Sequence, residues 1–394
     1  TPEAIKTILD ALSWLDLGSD EEPFYQSSHL SAHLKAAEHL LVKGDAYRQD
    51  KGKIGKGSCI VFKMPGTDMT FYDEIKGKLR KEASKMQDFV IVRSNGTPVF
   101  HLANVVDDID MGITHIIRGD DHIENTYRHV ALFQALAAPL PRYAHLPMIV
   151  NAQGRPYSKR DGSAFVGEFR ENGYLPDALF NYLALLGFSP GENREILPRE
   201  EMIKLFDIHK VKSSPAQMDI NKLQWMNCEY IKKLSTNELE TQCKKILMER
   251  NLWNAKIDSS YFTAVLKLMQ QRIKFFSDIA ELGSYFFTED YLYDEKAVKK
   301  RLCKKDILQQ MKELSQRFNS IKEFNTVTAE KALRSFAEEG GINPGQLIHA
   351  ARVAVSGLAS GPGLFDMLAV LGKERVVNRI ETTITRLAQK AEKD

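Results

Sequence analysis

An α/β front half followed by an all-helical back half is the fold class this 394-residue sequence predicts. Three observations predict it. Short apolar runs alternate with helix-period stretches up to about residue 150, the pattern of a sheet flanked by helices. Strand signals then fade beyond about residue 175. From residue 236 to the end, apolar residues recur at helical spacing almost throughout, with breaks near Gly340-Gly341 and 360–363.

Composition bounds the rest. Apolar residues make up 43% and charged residues 27%, which excludes a disordered chain, a collagen-like chain and a disulfide-built mini-fold. No run of about 18 apolar residues exists, so no transmembrane helix is expected. The opening residues lack the pattern of a signal peptide. The cysteines Cys59, Cys228, Cys243 and Cys303 are far apart and form no Cys-x-x-Cys pair. Neither a zinc site nor a disulfide framework is expected, and a reducing compartment, most simply the cytoplasm, fits. A net charge of +2 leaves any nucleic-acid binding to local patches.

In chain order, Thr1 can cap a first helix, with Pro2 at its first position and Ile5, Ile8, Leu9, Leu12 and Leu15 as its apolar stripe. A domain that opens in mid-stride suggests a segment upstream of Thr1. Leu34, Ala37, Leu40 and Leu41 mark a second helix. Residues 48–58 are basic and glycine-rich, hence loop-like. Strands are expected at 59–64 and 89–93, with a lysine-rich stretch at 76–85 between them. Further strands are expected at 98–106 and 113–117, a helix at 123–138 and a short apolar run at 145–150. Helices follow at 176–186, 200–206 and 221–231.

In parallel α/β sheets ligands sit at the carboxyl ends of strands. The polar clusters 118–122 and 151–162 directly follow strand candidates, so chemistry is sought there. Lys159 and Arg160, beside Ser158 in a glycine-flanked loop, can reach phosphate oxygens. Taken alone, the segment reads more simply as a solvated basic turn. Arg118 can hold a carboxylate through a bidentate pair, or else pair with Asp120 or Asp121 at the surface. Asp107, Asp108 and Asp110 invite a magnesium reading, but alternation along a strand favours structural capping. Phe100 and Asn104 share a face of the expected strand and could frame a small polar ligand, although such pairs are more often core. Lys299, Lys300, Arg301, Lys304 and Lys305 form a basic run, read as a solvated helix face or a phosphate contact. No Walker loop, nucleophile elbow or zinc-protease helix is present.

The wording and order of these segments closely resemble bacterial-type glutamyl-tRNA synthetases, which are class I enzymes, over nearly the whole chain. The most specific stretches are 94–122 (SNGTPVFHLANVVDDIDMGITHIIRGDDH), 145–162 (HLPMIVNAQGRPYSKRDG) and 174–188 (YLPDALFNYLALLGF). Residues 223–231 (LQWMNCEYI) and 362–375 (PGLFDMLAVLGKER) add to them. The resemblance implies a Rossmann-like catalytic domain over 1–150, N-terminally truncated, with a shortened acceptor-binding insert at about 48–93. It implies a KMSKS-type loop and stem-contact region over 151–235. A helical anticodon-binding region follows over 236–394, dividing near 310.

The same resemblance places roles residue by residue. Residues 156–160 fall on the mobile KMSKS-type loop, making Ser158, Lys159 and Arg160 the catalytic candidates. Met148 and Ile149, with Lys159 and Asp121, fall on the ATP site. Arg118, Phe100 and Asn104 fall on the glutamate pocket. His122 faces the tRNA 3′ end, and Arg272 matches an arginine that reads the anticodon in some members. ATP with Mg2+, L-glutamate and tRNA(Glu) are the implied ligands, with no zinc, no membrane and a monomeric enzyme. The implied reaction passes through a glutamyl-adenylate.

The sequence departs from the family pattern in several places. The HIGH motif is absent, Pro156 replaces the first loop lysine, Phe100 stands where tyrosine is usual, and the insert is short. The polypeptide as written is therefore expected to be an incomplete fragment, inactive by itself. The alternative is a catalytically inactive tRNA-binding paralogue.

Overall fold

The computed structural model describes residues 2–50, 57–254, 257–304 and 306–391. The expected cap at Thr1, residues 51–56 of the expected loop and Lys305 of the basic run lie outside the described residues. The chain divides into two compact units, Thr1–Phe169 with Leu179–Ile220, and Arg170–Ala178 with Asn221–Asp394. No helix among the described residues is long and apolar enough to cross a membrane.

The first unit runs α1 (Pro2–Trp14), α2 (Leu30–Lys43), β1 (Ala46–Asp50), β2 (Ser58–Phe62), β3 (Met69–Asp73), β4 (Gly77–Lys81) and β5 (Phe89–Val92). It continues through α3 (Phe100–Asp110), β6 (His115–Gly119), α4 (Ile123–Ala135), β7 (Arg142–Leu146) and β8 (Ile149–Val150). Beyond α5 (Val166–Glu171) and α6 (Pro176–Leu185), it closes with α7 (Arg199–Leu205) and β9 (Ala216–Gln217).

Sheets of three and four strands organise this unit, and β8 and β9 form a third, two-stranded parallel one. Strands β1, β2 and β5 form an antiparallel sheet. The second has the order β4-β3-β7-β6, in which β3 and β4 form an antiparallel hairpin while β7 lies parallel to both β3 and β6. The expected parallel sheet is therefore mixed, with two parallel pairings and one antiparallel edge. Leu40, Phe62, Ile91, Leu102, Val105, Leu132, Phe133 and Tyr143 pack into one core.

Two readings of the sequence are corrected. Residues 98–106 are not a strand; α3 begins at Phe100. Its buried residues Leu102, Ala103, Val105, Val106 and Asp107 follow helical spacing, and packing of that face overrides the strand preference of the β-branched valines. The stretch 76–85 contains a strand, β4, at a sheet edge. Its lysines, common protectors of exposed edges, hide it from an apolar-run search. The expected stripe of α1 forms on the helix, yet Ile8 is 58% exposed and only Leu15, past the helix end, is buried.

The second unit is helical, as expected: α8 (Ile220–Lys233), α9 (Thr236–Glu249), α10 (Ser259–Met269), α11 (Asp278–Glu281) and α12 (Glu295–Arg301). Then come α13 (Ile307–Ser320), α14 (Thr326–Glu339), α15 (Pro344–Ser356), α16 (Leu364–Leu371) and α17 (Lys373–Ala391). Its core runs from Leu239 through Phe262, Phe286 and Phe318 to Ile380. Arg379 is buried within this unit. It donates to the backbone oxygens of Val355 and Tyr285, each at 2.8 Å, and pairs with Glu289 at 2.8 Å.

Candidate active site

β6 and β7 run parallel in register from His115 opposite Arg142 to Gly119 opposite Leu146, so their carboxyl ends finish side by side. Arg118 lies at the end of β6, half-buried. Its Nη2 donates to Thr126 Oγ1 at 2.7 Å and its Nε to His145 Nε2 at 3.4 Å. The Tyr143 ring lies 6.0 Å away. Among the described residues no carboxylate comes within ion-pair distance of it. Asp120 is taken by Lys76 at 2.8 Å, and Asp121 lies 3.9 Å from His122, so neither makes the surface salt bridge that the sequence left open. Burial disfavours the charged guanidinium, and the nearby Tyr143, Asp108 and Asp121 only partly compensate.

Sequence reading missed what supports Arg118. Asp73 closes β3 on its inward face and is fully buried. One of its oxygens meets His145 Nδ1 at 2.6 Å, and the backbone N–H groups of Ile75, Lys76 and His145 also donate to it. Burial pushes this carboxyl up, but the hydrogen bonds from His145 and those amides outweigh it and hold the group below its ordinary range. Asp73 and His145 are 72 positions apart in sequence, so no motif spacing could pair them. The available signal was a single carboxylate at an inward position of an alternating strand.

After β6 the chain turns sharply into a short helical turn, Asp120–His122. Gly119 is extended there, at φ −64° and ψ 150°. Phe100, at the start of α3, is 46% exposed and its ring lies 6.4 Å from that of His122. Asn104 stands four residues on, so the two share a face of a helix rather than of a strand. His101 Nδ1 meets His129 Nε2 at 3.1 Å. Burial, then Arg128 and Arg118, push His101 down to about 4, and burial with Arg118 foremost among the charges pushes His129 down to about 3. Both are neutral spacers between α3 and α4 at physiological pH.

The acidic trio on α3 separates into different roles. Asp107 is structural, receiving His33 Nε2 at 2.7 Å and Gln26 Nε2 at 2.9 Å. Asp108 has a buried oxygen without a partner, and burial pushes it up to about 6, against the opposing pull of Arg118. Its folded value thus exceeds the unfolded one of about 3.9. Stability carried by its protonated form is present below that unfolded value and is lost as pH rises through 6. Asp108→Asn is accordingly expected to raise the melting temperature at pH 7.5 by about 2 °C, with the gain vanishing near pH 4. Calorimetry at both pH values checks this; an equal gain at both would assign the effect to packing.

Beyond β7, the carbonyls of Met148, Ile149 and Val150 accept from the N–H groups of Ala216, Tyr157 and Met218, at 3.0, 2.9 and 2.9 Å. Any base held on this stretch must use its amides or second lone pairs. Residues 149–157 form a tight hairpin, with Asn151 N–H donating to Arg155 and Tyr157 N–H to Ile149. Pro156 bridges Val150 between those two bonds, where no ladder donor is required of it.

Asp161, another residue not singled out from sequence, ties the loop down. It accepts from Asn151 Nδ2 at 2.8 Å and from Ser158 through both N–H (3.0 Å) and Oγ (2.9 Å). Hydrogen bonds from Asn151 and then Ser158 hold its carboxylate below the ordinary range. Gly162, at φ 142°, lets the segment leave, since a Cβ would sit 2.7 Å from the Tyr157 hydroxyl. Ser158 is thus committed inward to Asp161. Lys159 and Arg160 are exposed, and the nearest carboxylate to Lys159 is Glu168 at 3.9 Å.

Arg272 belongs to the second unit and is exposed just after α10. Burial, and then the Arg272 charge, press down on half-buried Arg352, whose Nη1 has no partner. Burial likewise pushes His349 down, assisted by Arg301, Arg352, Lys300 and Lys304. Lys300, Arg301 and Lys304 of the basic run thus act on α15 together with Arg352. Arg352 carries no sequence signal that would have picked it out.

A mixed α/β unit with its polar side chains at adjacent carboxyl strand ends, continued by an all-helical unit, is the build of a class I aminoacyl-tRNA synthetase. The family described as tRNA synthetases class I (E and Q), catalytic domain, matches residues 1–54 and 49–225, and an anticodon binding domain matches residues 232–384. Glutamate–tRNA ligase 1 of Caldanaerobacter subterraneus is 35% identical, over 98% of this chain and 88% of the relative. The glutamate–tRNA ligase of Moorella thermoacetica is 34% identical, over 97% and 88%. A glutamate tRNA ligase from Elizabethkingia meningosepticum, solved in complex with its amino acid, superposes with a TM-score of 0.83 at 27% identity, covering 98% of this chain and 90% of that one. The glutamate–tRNA synthetase of Elizabethkingia anophelis gives 0.81 at 28% identity, with the same coverage. The chain belongs to the glutamate–tRNA ligase family.

Proposed function

We propose that this protein attaches L-glutamate to tRNA(Glu) at the expense of ATP, through a glutamyl-adenylate. The observation that carries the reading is Arg118, a half-buried guanidinium oriented by Thr126 and His145, with no carboxylate in ion-pair distance among the described residues. Such a group rewards a substrate carboxylate and disfavours the neutral amide of glutamine. In the first step an oxygen of the α-carboxylate of glutamate, not of the side-chain carboxylate paired with Arg118, attacks the α-phosphorus of ATP. A carboxylate–phosphorus bond forms, and the bond to the bridging oxygen breaks to release pyrophosphate. Lys159, exposed on its hairpin loop, neutralises the charge gathering on the departing phosphates. In the second step the terminal ribose hydroxyl of tRNA attacks the acyl carbon, loses its proton and displaces AMP. Positioning and charge supply most of the catalysis.

Among the described residues no group of three or more His, Cys, Asp or Glu side chains converges as a metal's ligands would, so magnesium would enter on the ATP phosphates, where it would offset their charge. Residues 151–235 would contact the tRNA stem, and the patch around Arg272 and Arg352 would take the anticodon. The four cysteines are free, in keeping with a reducing compartment. The test is ATP–pyrophosphate exchange in the presence of tRNA. Exchange that depends on glutamate and not on glutamine upholds the reading. Binding of tRNA without exchange favours the second reading, a tRNA-binding relative that does not activate glutamate, for which Pro156 and Phe100 speak.

A further inference from the structure

A guanidinium pinned along one edge presents its other edge in a fixed direction, because its five N–H groups form one rigid fork. Arg118 is pinned in this way through Nε to His145 and through Nη2 to Thr126, and its Nη1 makes no hydrogen bond among the described residues. His145 and Asp73 are both fully exposure-free, and the 2.6 Å contact between Nδ1 and the carboxylate assigns the imidazole proton to Nδ1. Nε2 is then an acceptor with a single lone pair, shared between the Thr126 hydroxyl at 2.9 Å and the longer contact from Arg118 Nε–H at 3.4 Å, and the Thr126 hydroxyl also reaches the His122 carbonyl at 3.1 Å. The His145 ring is also stacked on Tyr143, with 9° between the planes. Nothing in this chain of contacts leaves the imidazole free to rotate.

The order of the groups is informative. A structural arginine in this same chain, Arg379, is buried directly against a carboxylate. At Arg118 the buried carboxylate stands one residue removed, spent on His145, so the guanidinium is oriented without being neutralised. We propose that Asp73, His145 and Thr126 are positioning residues that aim the Arg118 guanidinium while preserving its full charge for the substrate carboxylate. This rests on the reading of Arg118 as the glutamate-binding cation.

Thr126→Val removes one hydroxyl from a buried site at nearly constant shape. It is expected to weaken L-glutamate binding, measured by equilibrium dialysis, by about tenfold, the worth of one hydrogen bond to a charged group. ATP affinity should stay unchanged, and Thr126→Ser should restore glutamate affinity. A merely structural role would lower both affinities together and would not be rescued selectively. Arg118→Ala separates the two layers of the claim. If Arg118→Ala loses glutamate while Thr126→Val keeps wild-type affinity, the positioning assignment is overturned and the glutamate reading stands. If Arg118→Ala also binds as wild type, or the wild-type protein binds no glutamate, the reading beneath it fails. A ligand-independent measurement guards against misfolded variants. In wild-type protein the Arg118 Nε–H resonance should be protected from solvent exchange, and exchange as fast as that of a free guanidinium would overturn the pinning.

Discussion

Arg118→Ala is expected to weaken L-glutamate binding by about two to three orders of magnitude, the cost of truncating one member of a desolvated charge pair. The loss should fall mainly on glutamate, because Arg118 lies at the end of β6 among Thr126, His145 and Tyr143, whereas Met148, Ile149 and Lys159, three of the four residues matched to ATP, lie beyond β7. Discrimination against glutamine should shrink in parallel. Once the cation is gone, a carboxylate no longer gains over an amide. Arg118→Lys should recover only part of the affinity, since an ammonium cannot hold the Thr126 and His145 contacts and a substrate carboxylate at once. Calorimetric titration with each amino acid checks this. Equal losses for glutamate and ATP would indicate general damage to the sheet.

In an activation-competent form of the enzyme, Lys159→Ala is expected to slow glutamate activation by about a hundredfold, as removal of one charge-stabilising donor does elsewhere, while leaving tRNA affinity unchanged. Lys159 is 79% exposed and 3.9 Å from Glu168, so its removal breaks no buried contact and its effect should be confined to the reaction. Asp161 holds the loop through Ser158 and Asn151, and Pro156 fits a hairpin position that needs no donor. The loop is thus ordered at its base and presents Lys159 and Arg160 to solvent. Rapid-quench measurement of adenylate formation checks the prediction; an unchanged rate would remove Lys159 from the activation step.

What could be read from sequence divides along physical lines. Long periodic segments, such as α4 and the helices beyond residue 236, were legible because burial of one face repeats at fixed spacing. Arg118 was legible because a cation after an apolar run marks a strand end facing a ligand. The helix at Phe100–Asp110 was not, because Val105 and Val106 favour a strand locally and only packing on α2 and α4 reverses that. Phe100 and Asn104 still share a face, because four residues return to the same side in either period. β4 escaped because an edge strand needs little apolar character. The Asp73–His145 pair and the Arg272–Arg352 patch escaped for another reason. Each is assembled from positions far apart in sequence, and only the folded chain brings them together.

The most direct test is a crystal structure of the protein with L-glutamate bound. A substrate carboxylate within hydrogen-bond distance of the Arg118 guanidinium, with the Thr126 and His145 contacts retained, is the predicted result. Glutamate bound elsewhere, or Arg118 turned away from it, would contradict the account.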